Sequence, residues 1–224
     1  MPRLYPVMLV LEGKRALVVG GGAVAQRKVE GLLACGAQVR VVAPEVTDGL
    51  RALAEGGACA WCARAFEEAD LAAADIVFAA TDDEQVNRRV FEEAARARLM
   101  VNVADRPELC TFFLPSVMRK GRLSVSVSTE GASPLLARRL RERIEERLGD
   151  AYAPYVDLLA SRRDVVNATV AEQARMGFWE KATDGRALAL VEAGDLAGAA
   201  ALIDALIARY QVEGGGADSS PDLT

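Results

Sequence analysis

With 224 residues and a net charge of −5, the chain can form one large domain or a nucleotide-binding domain with a smaller unit, and its charge disfavours nucleic acid as a partner. It contains no histidine, which excludes Ser-His-Asp triads, Cys-His pairs and histidine-ligated metals. No unbroken apolar run is long enough to span a bilayer and the N-terminus has no signal-peptide pattern, so we expect a soluble, cytoplasmic protein with no membrane partner.

Three glycines, Gly20 to Gly22, join the strand that is predicted from Arg15 to the first predicted helix. A separate strand is predicted over the apolar run at 6–11, and the glycines follow a second apolar strand that begins at Arg15. The spacing Gly20-x-Gly22-x-x-Ala25 matches the dinucleotide-binding fingerprint, with alanine in its third place. In this pattern the first glycine allows the tight turn, the second lets the backbone approach a pyrophosphate, and the third small residue allows close packing of helix on strand.

The start of the first helix is the predicted pyrophosphate site, because its free N–H groups and partial positive charge attract phosphate. The alternative is an ordinary glycine turn, but the strand before it and the helical periodicity after it favour cofactor binding. The residues assigned to the cofactor here are Gly20, Gly22, Ala23, Val24 and Ala25.

The end of the strand predicted at 38–43 departs from the usual pattern. An acidic residue commonly binds the adenosine ribose at this point, whereas this chain has Ala43-Pro44 with Glu45 one step beyond. Either Glu45 or backbone groups reach the ribose, so we assign Pro44 and Glu45 to the cofactor. No Arg or Lys stands in this turn to bind a 2′-phosphate, which favours NAD over NADP.

The pair Cys59 and Cys62 has the spacing of a metal or redox site. The segment reads as a strand, however, and an offset of three along a strand points the two thiols to opposite faces. Buried free thiols are therefore the favoured interpretation, and we predict no metal-ligating residues.

Polar side chains follow the next two predicted strands, 75–80 and 99–105. Thr81 comes after the first of them, where it or Asp82 caps the next helix, and where it also lies in the expected cofactor crevice. Asn102 lies in the second strand, and Asp105 stands where that strand stops. We assign Thr81 and Asn102 to the cofactor. The alternation of strands and helices predicts an α/β, Rossmann-like, doubly wound parallel sheet.

The character of the sequence changes after residue 116. An alternating strand at 123–128 is followed by a basic helix at 135–148, with Ser133 as its N-cap. The arginines of this helix form either a solvated face with i,i+4 ion pairs or an anion-binding surface. Residues 151–210 are predicted to be helical, with breaks near Gly177 and Ala193-Gly194.

Six segments of the chain together resemble the precorrin-2 dehydrogenase module of siroheme synthases. They are 18–28, 42–44, 79–83 with Asn87, 101–105, 113–116 and 125–134. The resemblance covers residues 4–150 with specific motifs and 151–210 more loosely. It implies oxidation of precorrin-2 to sirohydrochlorin with NAD, and some members of the family also insert ferrous iron to give siroheme.

The resemblance also implies roles for individual residues. Asp105 matches the critical acidic residue of the family and is our predicted catalytic residue. The substrate carries eight carboxylates, which suits arginines, and the predicted substrate-binding residues are Phe113, Ser128, Thr129 and Arg119. The macrocycle's own nitrogens supply the permanent ligands of an inserted metal, so no protein metal site is required. One departure is Glu130, a charged residue where some relatives have glycine.

By the same resemblance, residues 114–148 are expected to form a homodimer interface, since pairing across a two-fold axis covers exposed strand edges. The predicted division is an NAD-binding domain, a dimerisation region, a helical C-terminal domain and a disordered tail, at 1–113, 114–148, 149–213 and 214–224. A rival function is a non-catalytic NAD-sensing module, which explains the glycine motif but not the segments at 102–105 and 113–116.

Overall fold

The computed structural model describes residues 3–214, and the chain splits after Leu114 into two compact units that we describe separately. The predicted tail lies outside the described residues apart from Gly214, which ends the last helix. The predicted division of the second half at residue 148 stays a prediction. Within the described range, no helix combines the length and the apolar character that crossing a membrane requires.

The first unit is a five-stranded, fully parallel sheet in the order β3-β2-β1-β4-β5, which confirms the predicted α/β doubly wound fold. Two 3-10 turns, Glu68–Ala73 and Pro107–Leu109, complete its connections. Its strands and helices are β1 (Arg15–Val19), α1 (Ala23–Leu33), β2 (Gln38–Val42), α2 (Asp48–Glu55), β3 (Ala60–Cys62), β4 (Ile76–Ala79), α3 (Glu84–Arg96) and β5 (Met100–Val103).

The strand predicted at 6–11 does not form. β1 is flanked on both sides by β2 and β4, so the segment that precedes β1 has no free edge beside it to pair with. Most of its apolar side chains are exposed, with Val10 81% and Met8 68% exposed, while Leu11 packs against the core.

Apolar clusters cover both faces of the sheet. The four residues 16–19 of β1 are all buried, as expected for a central parallel strand that is covered on both faces. Cys59 packs into one of the two clusters and Cys62 against the other, which confirms that these thiols point to opposite faces. Both cysteines are free.

Asp70 is a buried carboxylate that stabilises the loop before β4. Its side chain is 2% exposed and accepts two hydrogen bonds from the Arg64 guanidinium, at 2.7 and 2.9 Å, and one from the backbone N–H of Glu67. Its hydrogen bonds with Arg64 hold the pKa of Asp70 below its ordinary value.

We expect Asp70→Asn to lower the free energy of unfolding by about 2 kcal/mol at neutral pH, because the amide keeps one acceptor oxygen but loses the charge and the second hydrogen bond from Arg64. Since the pKa of Asp70 is lower in the folded state, its contribution is complete above the unfolded-state pKa and is lost as the pH falls through the folded-state value. The deficit of the variant should therefore shrink in acid, as measured by urea unfolding. Glu92→Gln, an exposed change on α3, is the control, and a deficit independent of pH would contradict the prediction.

The second unit begins with an antiparallel hairpin that packs against helix α4. Ser133 caps α4 as predicted, since its hydroxyl accepts a hydrogen bond from the Leu136 N–H. The elements of this unit are β6 (Ser116–Lys120), β7 (Leu123–Val127), α4 (Pro134–Arg147), α5 (Tyr152–Thr169), α6 (Glu172–Ala182), α7 (Arg186–Glu192) and α8 (Leu196–Gly214).

The helical breaks are predicted only in part. The break at Ala193-Gly194 is confirmed, because α7 ends just before it. The break at Gly177 is wrong, because this residue lies inside α6. A Cβ on Gly177 would meet the Tyr210 hydroxyl at 3.4 Å, an ordinary contact distance.

Candidate active site

The strand order of the first unit reverses between β1 and β4, and open α/β sheets bind their ligands at such a point. Gly20 follows β1 with a φ of +122°, and a Cβ on it would come within 2.2 Å of the Ala80 carbonyl oxygen. A Cβ on Gly21 would come within 1.9 Å of the Glu45 carbonyl oxygen. By contrast, nothing lies within 4 Å of a Cβ built on Gly22. Two glycines therefore allow close packing, while the third faces the open space that a pyrophosphate needs.

The start of α1 is suited to an anion. Gly22 is the N-cap and provides no side-chain acceptor, and the first helical turn contains no acidic residue. The first intrahelical bond runs from the Gln26 N–H to the Gly22 carbonyl, at 3.0 Å. Ala25 is completely buried, as its predicted role in close packing requires. These residues fit a dinucleotide, with the N–H groups of Ala23 and Val24 in the first turn.

The turn after β2 is tied to the glycine turn. The Thr47 N–H donates to the Gly21 carbonyl at 2.9 Å, and the Thr47 hydroxyl donates to the side-chain oxygen of Gln26 at 2.7 Å. Pro44 and Glu45 are exposed on this turn. Their contact with the adenosine ribose stays a prediction.

Thr81 stands at the carboxyl end of β4 but does not cap α3, and neither does Asp82. Asp83 directly precedes the helix, and its carboxylate accepts hydrogen bonds from the N–H groups of Gln85 and Val86. Thr81 instead pairs with the buried Asn87: its hydroxyl donates to the amide oxygen, and the amide nitrogen donates back to the Thr81 carbonyl, each at 2.9 Å. This reciprocal pair fixes the turn. Sequence reasoning assigned no role to Asn87, although it belongs to the resembling segments.

Asp105 lies in a tight turn directly after β5, on the same edge of the sheet as Gly20 and Thr81. Its backbone is left-handed, with a φ of +57°, and the Arg106 N–H donates to the Val103 carbonyl across the turn. Aspartate tolerates this conformation better than most residues. Backbone strain of this kind clusters at active sites, and here it occurs at an exposed aspartate directly after β5.

Asn102 is buried, and both ends of its amide are engaged. Its oxygen accepts a hydrogen bond from the Lys28 ammonium at 3.0 Å, and its nitrogen donates to the Phe112 carbonyl at 3.0 Å. The Lys28 nitrogen also lies 5.4 Å from the centre of the Phe78 ring. Direct contact between Asn102 and the cofactor stays a prediction, while the observed bonds tie α1 to the segment after Asp105.

Sequence reasoning missed Lys28 as a functional residue. The available signal is its position three residues after Ala25, which places it on the face of α1 that meets the sheet. Burial lowers the pKa of Lys28, while the neighbouring charges of Cys110 and Asp105 act in the opposite direction.

The predicted substrate residues have local partners. The Ser128 hydroxyl accepts from the Glu130 N–H at 3.1 Å, and the Thr129 hydroxyl accepts from the Ser133 N–H at 3.0 Å. Arg119 is exposed on β6, while Phe113 is half-buried in the first unit. Glu130 has a left-handed backbone, with a φ of +52°, where glycine is favoured. The substrate roles of Phe113, Ser128, Thr129 and Arg119 stay predictions.

The arginines of α4 form the ion pairs of a solvated helix in at least two cases. Arg138 and Arg141 pair with Glu142 and Glu145 on the same helix. The anion-binding interpretation of the remaining arginines stays a prediction. Among residues 3–214, no three His, Cys, Asp or Glu side chains come together to hold a metal ion.

Three family models match the chain in succession. Residues 7–116 match a putative NAD(P)-binding family, which confirms the predicted nicotinamide dinucleotide cofactor. Residues 120–147 match the central region of sirohaem biosynthesis proteins, and residues 151–207 match the sirohaem synthase dimerisation region.

Curated relatives show the same likeness. Siroheme synthase 1 of Cronobacter sakazakii is 42% identical over 201 residues, which are 89% of this chain and 43% of the relative. Siroheme synthase of Neisseria meningitidis is 39% identical over 84% of this chain and 39% of the relative. The chain thus spans less than half the length of these relatives.

A solved structure described as "SirC, precorrin-2 dehydrogenase" superposes with a TM-score of 0.77 and 29% identity. The match covers 92% of this chain and all of the SirC chain, so both units have counterparts in it.

Proposed function

Because the chain belongs to the family of the precorrin-2 dehydrogenase modules of siroheme synthases, we propose that it oxidises precorrin-2 to sirohydrochlorin with NAD. The observation that carries this proposal is the position of Asp105. Its carboxylate extends from a left-handed turn at the end of β5, on the edge of the sheet where the glycine turn leaves room for a dinucleotide.

The proposed reaction requires no covalent bond between the substrate and the protein. One hydride and one proton leave precorrin-2, and NAD supplies the hydride acceptor when it is bound. The chain must hold the macrocycle beside the cofactor and accept the proton. Asp105 is the group assigned to the proton, since the chain has no histidine.

Insertion of ferrous iron into sirohydrochlorin is the finer part of the proposal. It requires two pyrrole N–H protons to leave while the macrocycle's nitrogens bind the metal, so iron is a substrate here. The same carboxylate at the same crevice is suited to accept these protons. The curated relatives that support this part are named for siroheme synthesis.

An anaerobic assay with purified protein, precorrin-2 and NAD tests the function. We expect NADH absorbance to rise with precorrin-2 and not without it, and metallated product to form when ferrous or cobaltous ion is then added. An NAD-sensing module would bind NAD and reduce none. Dehydrogenation without metal insertion would limit the protein to the first reaction.

We predict a preference for NAD over NADP, measured as kcat/KM for each cofactor. The turn after β2 offers the carboxylate of Glu45 and no basic side chain, and a carboxylate repels a 2′-phosphate. The cation that we would test as a ligand of a 2′-phosphate is Arg51 of α2, whose guanidinium lies 5.1 Å from the centre of the Trp61 ring. A kcat/KM for NADP equal to or above that for NAD would contradict the prediction. In that case, loss of the NADP activity in Arg51→Ala would identify Arg51 as the ligand of the 2′-phosphate.

We predict that the protein is a homodimer through residues 114–148. The hairpin of β6 and β7 is a two-stranded sheet, and two-stranded sheets are rarely stable alone. Large apolar side chains stand exposed on the adjoining α4, with Leu135 58% and Leu136 49% exposed. Light scattering at micromolar concentration should give twice the chain mass, and a monomer would contradict the prediction.

The position of the interface needs its own test, because the family model described as a dimerisation region matches residues 151–207. Leu136→Asp should dissociate the dimer if α4 forms the interface. Val212→Asp places the same charge on an exposed apolar position of α8 and is the matched variant. Dissociation by the second change alone would move the interface to the helical region.

A further inference from the structure

Lys28 makes contacts that the proposed function does not yet use. It is a half-buried lysine in the middle of α1, whose hydrogen-bond acceptor is the Asn102 amide oxygen at 3.0 Å. Lysine is seldom removed from water unless it is paired, since burying an ammonium group is costly. Here the pairing partner is a neutral amide on β5, and the carboxylate of Asp105 adds a favourable charge interaction.

The amide that Lys28 holds is part of the connection that closes the Asp105 turn. Asn102 donates to the Phe112 carbonyl at 3.0 Å, and Thr111 exchanges backbone and hydroxyl hydrogen bonds with Val101. The Cys110 sulfur accepts from the Val103 N–H at 3.2 Å. Residues 110–112 are therefore hydrogen-bonded along β5. The turn at 104–106, which contains the left-handed Asp105, lies in the connection between these two segments.

We propose that Lys28 is a positioning residue, which fixes the Asp105 turn through the amide of Asn102. The inference rests on the proposed dehydrogenase function. A left-handed residue other than glycine depends on its surroundings more than ordinary backbone does. The lysine donates the hydrogen bond that orients the Asn102 amide, and its positive charge interacts favourably with the Asp105 carboxylate. A misplacement of about 1 Å at a reacting group can cost about 100-fold in rate.

The test combines turnover with a measurement that needs no substrate. Lys28→Met keeps an apolar stem against Phe78 but removes the charged donor. We expect kcat for precorrin-2 to fall about tenfold or more, with KM for NAD changed less than about twofold, because the glycine turn is untouched. Amide hydrogen exchange in the cofactor-free protein should quicken about tenfold over 101–112 and stay unchanged over 38–42 in β2.

Matched variants separate positioning from general effects on the fold. Lys14→Met removes an exposed lysine and should leave both measurements unchanged. Lys28→Arg keeps a charged donor and should recover most of the lost kcat. If Lys28→Met does not fold, Lys28→Gln, which lacks the charge, is taken through the same two measurements.

Each outcome has a distinct meaning. Unchanged kcat and unchanged exchange in Lys28→Met would overturn the proposal, and so would a parallel rise in KM for NAD, which would assign Lys28 to the cofactor. If the parent protein shows no turnover at all, the proposed function fails, and faster exchange at 101–112 still shows that Lys28 fixes this segment.

Discussion

Asp105→Ala is expected to lower the rate of precorrin-2 oxidation by about 100-fold or more, the usual scale of general acid–base catalysis. The carboxylate is our proposed proton acceptor, and the chain has no histidine to replace it. NAD affinity should survive, because Asp105 follows β5 whereas the predicted pyrophosphate site is at the start of α1. The rate is measured from NADH absorbance under anaerobic conditions, and affinity by calorimetric titration.

The left-handed backbone at Asp105 requires a second variant. Alanine in the left-handed conformation lowers stability by about 1 kcal/mol. A lower rate in Asp105→Ala could therefore come from a changed turn as well as from the missing carboxylate. Asp105→Asn removes only the charge, since asparagine tolerates the conformation well. Glu108→Gln removes an exposed carboxylate from the same loop and should keep the parent rate. Turnover by Asp105→Asn at the parent rate would show that the Asp105 carboxylate takes no part in the reaction.

The same variants divide the two proposed reactions. If a single carboxylate serves both, metal insertion should fall together with dehydrogenation. Insertion that persists in Asp105→Asn would show that the two reactions do not share this group.

Gly22→Asp is expected to abolish NAD binding while the fold remains. A Cβ at this position meets nothing within 4 Å, and the backbone φ of −81° suits any L-residue, so the new side chain is accommodated. It would occupy the space that the pyrophosphate needs and place a negative charge beside the phosphates. Calorimetric titration with NAD measures the loss, and thermal unfolding checks the fold.

Two further variants make this result specific. Gly31→Asp adds the same charge to α1 at an exposed position with equally open space and should keep NAD affinity. Gly22→Ala adds a methyl group without charge and should weaken binding less. Retained affinity in Gly22→Asp would mean that the cofactor lies elsewhere.

The α/β, doubly wound class of the first unit could be predicted because most of its strands and helices carry their own local signals. The buried apolar run 16–19, followed by small residues at fixed spacing, specifies a central parallel strand and a helix that starts close to it. The opposite orientations of Cys59 and Cys62 follow from the period of a strand alone. Such features depend on a few consecutive residues, so they can be read without tertiary contacts.

The apolar run at 6–11 and Gly177 show where local patterns mislead. The first has strand composition, but β1 already has two neighbours, and pairing is a property of the whole sheet. The second is a glycine, a residue that disfavours helix, yet it lies inside α6. The helix propensity of one residue is a weak signal, which the rest of the helix and its packing override.

By itself the sequence determined the glycine turn, the carboxylate at the end of β5 and the family resemblance. Only the tertiary structure decided how these groups are held. The bond from Lys28 to Asn102 joins residues 74 positions apart, and no sequence pattern predicted the left-handed backbone of Asp105. Local sequence reports which side chains are available, whereas their orientation depends on packing between segments that meet only after the chain has folded.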